Sequence, residues 1–323
     1  MHCELLVPGL FAAPGGARLP SLELLLARGR CTSAGAESVE NWLHDAFELG
    51  DSPLAAGALT LLGANGEPGT RSWLRADPVH LRLMRDRLVL APAAALDLKL
   101  DDAKTLCEAL NRHFGSRMSL QVVDAERWVA TTDVDFTIDT DPPLALAGRD
   151  VSVALPTATS ALLNEAQMVL HAQPMNEARE IPINSVWLWG AGRVPAVSST
   201  RWHSVTANDP LVLGLGRAAG ARHRTLAPAT AWLDRAPEEG RHLIVLDALR
   251  APLALEQTGE YQEVLARLER DWFAPLLDAL RDGRIGMVTI HVPDAAESLA
   301  YETIRTDLRR FWRRPRPLGR MAP

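Results

Sequence analysis

The sequence has few cysteines and no paired cysteine motif. Its three cysteines, Cys3, Cys31 and Cys107, are an odd number, and no C-x-x-C occurs. Small secreted domains that depend on disulfides carry even sets of cysteines at regular spacings. We therefore predict reduced thiols in a cytoplasmic protein.

Long apolar runs and an excess of positive charge are also missing. No apolar run reaches the roughly 18 residues that a membrane-spanning helix needs. The first residues, MHCELLVPGLF, lack the basic region and the long apolar core of a signal peptide. The net charge is −6, and a mildly acidic chain does not favour a general nucleic-acid surface. We expect neither a membrane nor a nucleic acid as partner.

The short motifs of common catalytic sites are absent too. The nine histidines are scattered, with no H-x-H or H-E-x-x-H, although ligands that are distant in sequence can still converge. G-x-S-x-G and the P-loop are missing. Gly190 and Gly192 lack the third glycine of a dinucleotide-binding motif, and "LGLGRAAG" does not follow a good strand.

The last part of the chain alternates strands with helices. From about residue 184, apolar strands such as "RHLIVLDAL" and "RIGMVTIHVP" alternate with helices such as "YQEVLARLERDWFAPLLDAL". "LAYETIRTDLRRFWRR" is predicted as the final helix. This alternation is typical of a parallel sheet covered by helices, which a first strand at residues 3–8 would join. The predicted fold class is α/β, with a mostly parallel sheet flanked by helices.

The middle of the chain has a different pattern. "WLRADPVHLRLMRDRLVLAP" alternates apolar and polar residues as strands do, "DDAKTLCEALNRHFG" has helical spacing, and "SLQVVDAERWVATT" predicts strand, turn, strand. We interpret this as an α+β cap domain at residues 73–183, inserted into an α/β core formed by residues 1–72 and 184–323.

A strand rich in tryptophan begins the second part of that predicted core. In "INSVWLWGAGR", Trp187 and Trp189 are two residues apart and point to the same face of a strand. We predict that the two tryptophans are core anchors against a helix. We also predict that Gly190 and Gly192 let the chain turn sharply and bring its backbone close to a neighbouring group. If the strand is parallel, the following loop lies at the sheet edge where ligands bind.

Arginines and asparagines suggest a site for an anion. "RADPVHLRLMRDR" is the densest polar cluster, and arginine pairs with phosphate or carboxylate through a planar fork of donors. The alternative is a solvated strand face with salt bridges of little value. The candidate residues for binding a small phosphorylated or anionic ligand, in a cleft between the domains, are Arg75, Asp77, His80, Arg82, Asn176, Arg179 and Asn184.

Several longer stretches resemble one known family. "ALLNEAQMVLHAQPMNEAREIPINSVWLWGAGRVP", "NDPLVLGLGRAAGA" and "LPSLELLLARG" resemble segments of archaeal-type cofactor-independent phosphoglycerate mutases, which belong to the alkaline phosphatase superfamily. The resemblance spans nearly the whole chain and is closest to a shorter bacterial offshoot labelled a regulatory protein of the RpfE type. It implies an alkaline phosphatase-like core with an inserted domain.

The departures from that family concern its catalytic centre. Active members hold two divalent metals, such as Mn or Zn, with Asp and His ligands, and they use a Ser or Thr nucleophile. The resemblance places Pro8-Gly9 at the first metal-binding Asp, Glu37 at the nucleophile and Ser38 at a further Asp, although Ser38 or Ser33 could substitute as nucleophile. It places the remaining ligands in "RAPLALEQTGEY" and at His291-Val292. Four ligand regions therefore depart together.

These departures predict a degenerate, metal-free pseudoenzyme that binds a ligand or a protein partner. A regulatory role is implied only by the label of the offshoot that the chain resembles. A serine without a metal or base is a poor nucleophile; Ser38, His44 and His291 remain the candidate catalytic residues. One alternative is an active mutase or phosphatase that holds two metals through other ligands, such as His44, Asp45, Asp247 and His291. Another is a structural protein that docks a partner through exposed tryptophans or the basic tail "RRPRPLGRMAP".

Overall fold

The computed structural model describes residues 1–12, 16, 18–132, 140–152, 160–197, 201–235 and 239–320. The strands are β1 (His2–Leu6), β2 (Arg30–Ala34), β3 (Trp73–Leu83), β4 (Leu88–Pro92), β5 (Met118–Val122), β6 (Trp128–Thr132), β7 (Ser185–Gly192), β8 (Ser204–Thr206), β9 (Arg222–Arg224), β10 (Arg241–Val245), β11 (Met287–Val292) and β12 (Ser298–Ile304). The α-helices are α1 (Pro20–Arg28), α2 (Val39–Ala46), α3 (Ala56–Gly63), α4 (Leu100–Phe114), α5 (Ser160–His171), α6 (Pro174–Glu177), α7 (Pro210–Ala218), α8 (Ala229–Leu233), α9 (Arg250–Ala254), α10 (Thr258–Leu268) and α11 (Ala274–Asp282). None of these described helices combines the length and the apolar character needed to cross a bilayer.

The chain divides into two compact units. The first consists of Met1–Gly50 and Val197–Pro323, and the second of Asp51–Ala196. The second unit is therefore longer at both ends than the predicted cap of residues 73–183. It includes α3, because α3 packs on β3 and β7. Gly57 of α3 shows how close this packing is, since a Cβ atom there would lie 2.4 Å from the backbone of Leu74.

Within the described residues, the first unit contains a seven-stranded sheet with the order β2-β12-β11-β1-β10-β8-β9. The five central and edge strands β11, β1, β10, β8 and β9 are parallel, whereas β12 and β2 pair antiparallel at the other edge. The predicted mostly parallel sheet flanked by helices is therefore confirmed. The predicted final helix is wrong in its first part, because residues 298–304 form β12.

One face of this sheet holds the core of the first unit. Because side chains alternate along a strand, Cys3 and Leu5 of β1 and Ile290 of β11 point to the same face, where they are buried against α1, α10 and α11. A π-helical segment, Glu269–Phe273, joins α10 to α11. Pro275 follows it and has no N–H, so the widened turn accommodates a residue that cannot continue regular α-helical hydrogen bonding.

The second unit is built on an antiparallel sheet. Its strands run β4-β3-β6-β5, and β7 pairs antiparallel with β3. Helices α4 and α5 cover one face through apolar residues such as Leu106, Leu110 and Leu163. The prediction that the tryptophan strand β7 belongs to the parallel sheet is wrong. A buried strand has the same apolar pattern in both kinds of sheet, and only its pairing with β3 decides between them.

Candidate functional site at the carboxyl edge of the parallel sheet

The carboxyl ends of β1, β8, β10 and β11 meet along one edge of the sheet in the first unit. In parallel α/β sheets this is the edge at which ligands bind. After β1 the chain turns through Pro8 and Gly9, and Gly9 has a left-handed φ of 77°. The hydroxyl of Tyr261 donates hydrogen bonds to the carbonyl oxygens of Gly9 and Leu10, at 2.7 and 3.1 Å. A tyrosine-held turn thus lies where the resemblance predicts a metal-binding aspartate.

Arg250 is the central charged residue of this edge. It is the first residue of α9, and its Nη2 donates to Oε1 of Glu40 in α2 at 2.9 Å; their side chains are only 21% and 18% exposed. Burial lowers the pKa of Arg250, but the ion pair with Glu40 and the negative charges of Asp209 and Asp247 outweigh it, so its pKa is raised. Arg250 thus forms an ion pair with Glu40, and the negative charges of Asp209 and Asp247 also act on its guanidinium. We call these four residues the Arg250 cluster.

Ser38 begins helix α2 at the same edge. Its exposed side-chain oxygen accepts a hydrogen bond from the backbone N–H of Asn41 at 3.0 Å, which is the geometry of an N-cap. Next to it, the backbone N–H of Glu37 donates to the carbonyl of Asp294. Burial and the charge of Asp45 raise the pKa of Glu37. Among the described residues, no hydrogen bond joins the Ser38 hydroxyl to an imidazole, so its catalytic role stays a prediction.

His291 takes part in a second polar cluster, centred on Glu4. Its Nε2 donates to Oε2 of Glu4 at 3.1 Å, and its ring lies 5.0 Å from that of Trp42. Nε and Nη2 of Arg241 contact the other carboxylate oxygen at 2.7 and 2.6 Å. Glu4 is 1% exposed. Burial alone would raise its pKa, but these hydrogen bonds and the charge of His2 outweigh burial, so the pKa lies below its usual value.

Glu4 was missed at the sequence level, although a signal was present. An acidic residue within the otherwise apolar run "CELLV" needs a buried partner, since an unpaired buried carboxylate is costly. His44 lies elsewhere, in the last turn of α2, where its Nδ1 is 3.1 Å from Oδ1 of Asp45. Across the residues that the structure describes, no group of three or more His, Cys, Asp or Glu side chains is arranged to hold a metal ion.

The residues predicted to bind an anion lie in the second unit. Arg75 and Asp77 are buried at 5% and 3% exposure. Nε and Nη2 of Arg75 donate to Oδ1 of Asp77 at 2.9 and 2.7 Å, and Nε1 of Trp189 donates to Oδ2 at 2.8 Å. The guanidinium also lies over the Trp189 ring, with 5.2 Å from Cζ to the centroid. Both side chains are thus engaged with neighbours inside the unit, and ligand binding by them stays a prediction.

The other candidates lie elsewhere in the same unit. His80 contacts the carbonyl of Pro182 through Nδ1 at 2.8 Å, whereas Arg82 is exposed near the end of β3. Asn184 makes two hydrogen bonds to the backbone of Leu81. Within the described residues, no hydrogen bond or ion pair links these side chains to the Arg75–Asp77 pair.

Asn176 and Arg179 hold the loop before β7. Asn176 is buried and exchanges hydrogen bonds with the backbone of Ile183, at 2.6 and 2.8 Å. Nη2 of Arg179 donates to the carbonyls of Leu96 and Asp97. Asn176 and Asn184 line a groove of about 620 Å³, and Arg179 lines a separate one of about 330 Å³. The structure therefore does not bring the predicted ligand residues to one place.

Comparison with known proteins gives similarity to one group of enzymes. No family model matches the sequence. The chain is 25% identical over 264 residues to a probable 2,3-bisphosphoglycerate-independent phosphoglycerate mutase of Geobacter sulfurreducens, covering 73% of this chain and 65% of that protein. It is 23% identical over 267 residues to the 2,3-bisphosphoglycerate-independent phosphoglycerate mutase of Methanosarcina mazei, covering 72% and 64%. The chain thus spans less than two thirds of the length of both relatives.

A solved structure shares the fold. The PH0037 protein from Pyrococcus horikoshii superimposes with a TM-score of 0.57 and 14% identity, covering 94% of this chain and 87% of that one. At this identity the likeness concerns the fold alone. The two sequence similarities are thus to proteins named as phosphoglycerate mutases, at 25% and 23% identity.

Proposed function

We propose that this chain is a metal-free, phosphoglycerate mutase-like protein that does not transfer phosphate but binds an anionic ligand or a protein partner. The observation that carries the proposal is the Arg250 cluster. A guanidinium that is always charged already neutralises part of the negative charge of Glu40, Asp209 and Asp247. A divalent cation at the same carboxylates would meet the repulsion of this fixed positive charge.

The neighbouring groups support the same proposal. The turn at Pro8 and Gly9 offers no carboxylate, and the oxygen of Ser38 serves as a helix cap. His291 donates to Glu4, which Arg241 also contacts. Glu4, Glu40 and His291 therefore have partners within the protein, which supports the proposal that this region does not hold two bridged cations.

The chemical consequence follows from the roles of the missing groups. A bound divalent cation polarises a phosphoryl oxygen and lowers the pKa of the attacking hydroxyl, whereas arginine provides only a fixed charge and hydrogen bonds. Removing a single preorganised electrostatic group commonly reduces kcat by about 100- to 1,000-fold. Losing both cations is expected to reduce it by many orders of magnitude more.

Metal analysis and activity assays test the proposal. Purified protein is incubated with manganese or zinc, freed of unbound metal, and assayed for metal content and for mutase and phosphatase activity. We expect substoichiometric metal and no activity above background. Two metal ions per chain together with mutase activity would instead support the active enzyme with non-standard ligands such as His44, Asp45, Asp247 and His291.

A variant pair makes this experiment specific to the Arg250 cluster. Arg250→Gln removes the positive charge that the proposal holds responsible for repelling a cation, so we expect this variant to bind more manganese than the wild type does. Arg281→Gln is the matched control, because Arg281 pairs with Asp278 on the exposed surface of α11. If both variants behave like the wild type, the guanidinium is not what excludes metal.

Ligand binding is tested separately by thermal shift. We expect a phosphorylated small molecule, with 3-phosphoglycerate and inorganic phosphate as first probes, to raise the midpoint of unfolding, because a ligand that binds only the folded state stabilises it. A regulatory role and a cytoplasmic location are part of this proposal. A protein that responds to none of the phosphorylated probes would favour the second alternative, a structural module that docks a protein partner.

A further inference from the structure

After β12 the chain carries an exposed aromatic pair. A 3-10 turn at Arg305–Arg309 is followed by a turn that carries Phe311 and Trp312. Their side chains are large and apolar, yet the two residues are 77% and 66% exposed. Their ring centroids lie 5.3 Å apart with the planes at 82°, so the edge of one ring meets the face of the other. We call these two residues the aromatic tip.

Contacts on both sides hold the aromatic tip in place. Nη1 of Arg310 donates to the carbonyl of Arg28 at 3.1 Å, and Nη1 of Arg313 donates to the carbonyl of Gly29 at 2.6 Å. Both acceptors lie at the C-terminal end of α1, where positive charge is favoured. Leu318 then packs into the core of the first unit. The exposure of the aromatic tip is therefore a property of an anchored segment.

The surroundings of the aromatic tip are strongly basic. Six arginines and a single aspartate lie between residues 305 and 316, in a chain whose net charge is −6. Asp307 pairs with Arg310 at 2.8 Å. Arg309, Arg314 and Arg316 are exposed, and no described residue forms an ion pair with them. This local charge is opposite in sign to that of the whole chain.

We propose, in contrast to the expectation drawn from the overall composition, that this segment binds the surface of an anionic lipid bilayer. Aromatic side chains, tryptophan above all, partition into the interfacial region of a membrane, where one end of the side chain is apolar and the other is wet. Exposed arginines beside them would contact the lipid phosphates through charge-assisted hydrogen bonds. Neither signal is strong alone, and stable attachment of a peripheral protein takes an apolar and a basic element together.

The geometry of the rings disfavours a nucleic acid as the occupant. Single-stranded nucleic acids stack their bases on open aromatic faces. In the aromatic tip one ring face is occupied by the edge of its neighbour. An inserted pair of rings, by contrast, needs no matching pocket or open face in a bilayer.

Vesicle co-sedimentation with the full chain tests the proposal. Vesicles of phosphatidylcholine alone are compared with vesicles that also contain phosphatidylglycerol, at low and high salt. We expect binding only to the anionic vesicles, and weaker binding at high salt because added ions screen the attraction. In the double variant Phe311→Ala/Trp312→Ala we expect the partition coefficient to fall at least about tenfold.

A charge-matched pair of variants separates local from overall charge. Arg314→Glu/Arg316→Glu reverses two charges beside the aromatic tip, and Arg85→Glu/Arg87→Glu reverses two exposed charges in the second unit, so that both proteins have the same net charge. Only Arg314→Glu/Arg316→Glu should lose binding to the anionic vesicles. Equal loss in both, or an aromatic-tip variant that binds as the wild type does, would overturn the proposal. The proposal would also be overturned if the wild-type protein bound a single-stranded oligonucleotide but not the anionic vesicles.

Discussion

Arg75 and Asp77 form a buried ion pair inside the second unit, with Trp189 as the third member. The arginine donates twice to one carboxylate oxygen, and the indole N–H donates to the other. Taking two charges out of water costs several kcal/mol per ion, and only close, well-oriented hydrogen bonds offset that cost. Removing one partner is therefore expected to lower the free energy of unfolding by much more than the net contribution of the pair to stability.

We predict that Arg75→Ala lowers the free energy of unfolding by about 3–5 kcal/mol, because it leaves the Asp77 carboxylate buried without its cation. Urea denaturation measures this loss. The matched control, Arg85→Ala, removes an exposed arginine and should change the free energy by less than about 0.5 kcal/mol. A stable Arg75→Ala protein that has lost only the binding of a phosphorylated ligand would instead support the original ligand-binding prediction.

The Arg75–Asp77 pair also shows that charged residues in a sequence do not by themselves reveal whether they are exposed or buried. "RADPVHLRLMRDR" contains four arginines, and the pattern is compatible with a solvated face, an anion site or a buried network. The structure places Arg75 in the buried half of β3 and Arg82 in the exposed half. Which half is buried depends on β7 and α3, which cover β3 from elsewhere in the chain.

At the scale of elements, the end of β7 packs against the start of α3. Gly190 has a left-handed φ of 58°, and a Cβ atom there would lie 2.4 Å from the Cβ of Ala56. A Cβ at Gly192 would lie 2.8 Å from that of Ala55. The glycines after the tryptophans thus permit the close approach that the sequence predicted, and the approaching element is α3.

We predict that Gly190→Ala destabilises the protein by about 2–4 kcal/mol, since it combines backbone strain at positive φ with a steric clash. Gly220→Ala isolates the first effect: Gly220 has a φ of 70° but open space around its Cβ position. It should cost only about 1–2 kcal/mol. Thermal unfolding of the two variants measures the difference, and equal losses would show that the contact with α3 is unimportant.

Two segments illustrate how far local patterns determine the elements. The helical spacing of "DDAKTLCEALNRHFG" predicts a helix, and α4 forms there with Gly115 as its C-cap. "LAYETIRTDLRRFWRR" was predicted as a helix, yet its first part is β12. Leu299 and Tyr301 alternate onto the core there, and pairing with β11 and β2 stabilises the extended form. For a short apolar run, such pairing outweighs local preference.

At the scale of the whole molecule, buried titratable groups of the first unit make its stability depend on pH. The pKa of Glu4 is lowered by its partners, so its contribution is complete above the unfolded value of about 4.3 and is lost as the pH falls through the folded value. Burial lowers the pKa of His2 and His242. The unfolded chain therefore binds protons more readily than the folded one below about pH 6.5, which also favours unfolding in acid.

We predict that the free energy of unfolding falls as the pH is lowered from about 7 to 3, first through the histidines and then through Glu4. In Glu4→Gln the stability at pH 7 should be lower than in the wild type, and the difference should shrink below about pH 4.3. Glu67→Gln, at an exposed carboxylate, is the control. Denaturant titrations across this pH range measure the difference; a difference that does not vary with pH would contradict the assigned role of Glu4.

The sequence by itself determined the α/β class and the strand–helix alternation of the first unit, since these follow from local periodicity. The departures at Pro8-Gly9 and His291-Val292 rest on the resemblance to a family and stay predictions. Only the tertiary structure decided that β7 pairs with β3, that Arg75 and Asp77 are buried together, and that Arg250 pairs with Glu40. Those facts depend on which distant segments of the chain come into contact. The residue pattern of a single stretch is compatible with several pairings and with both burial and exposure, so only the packed chain decides between them.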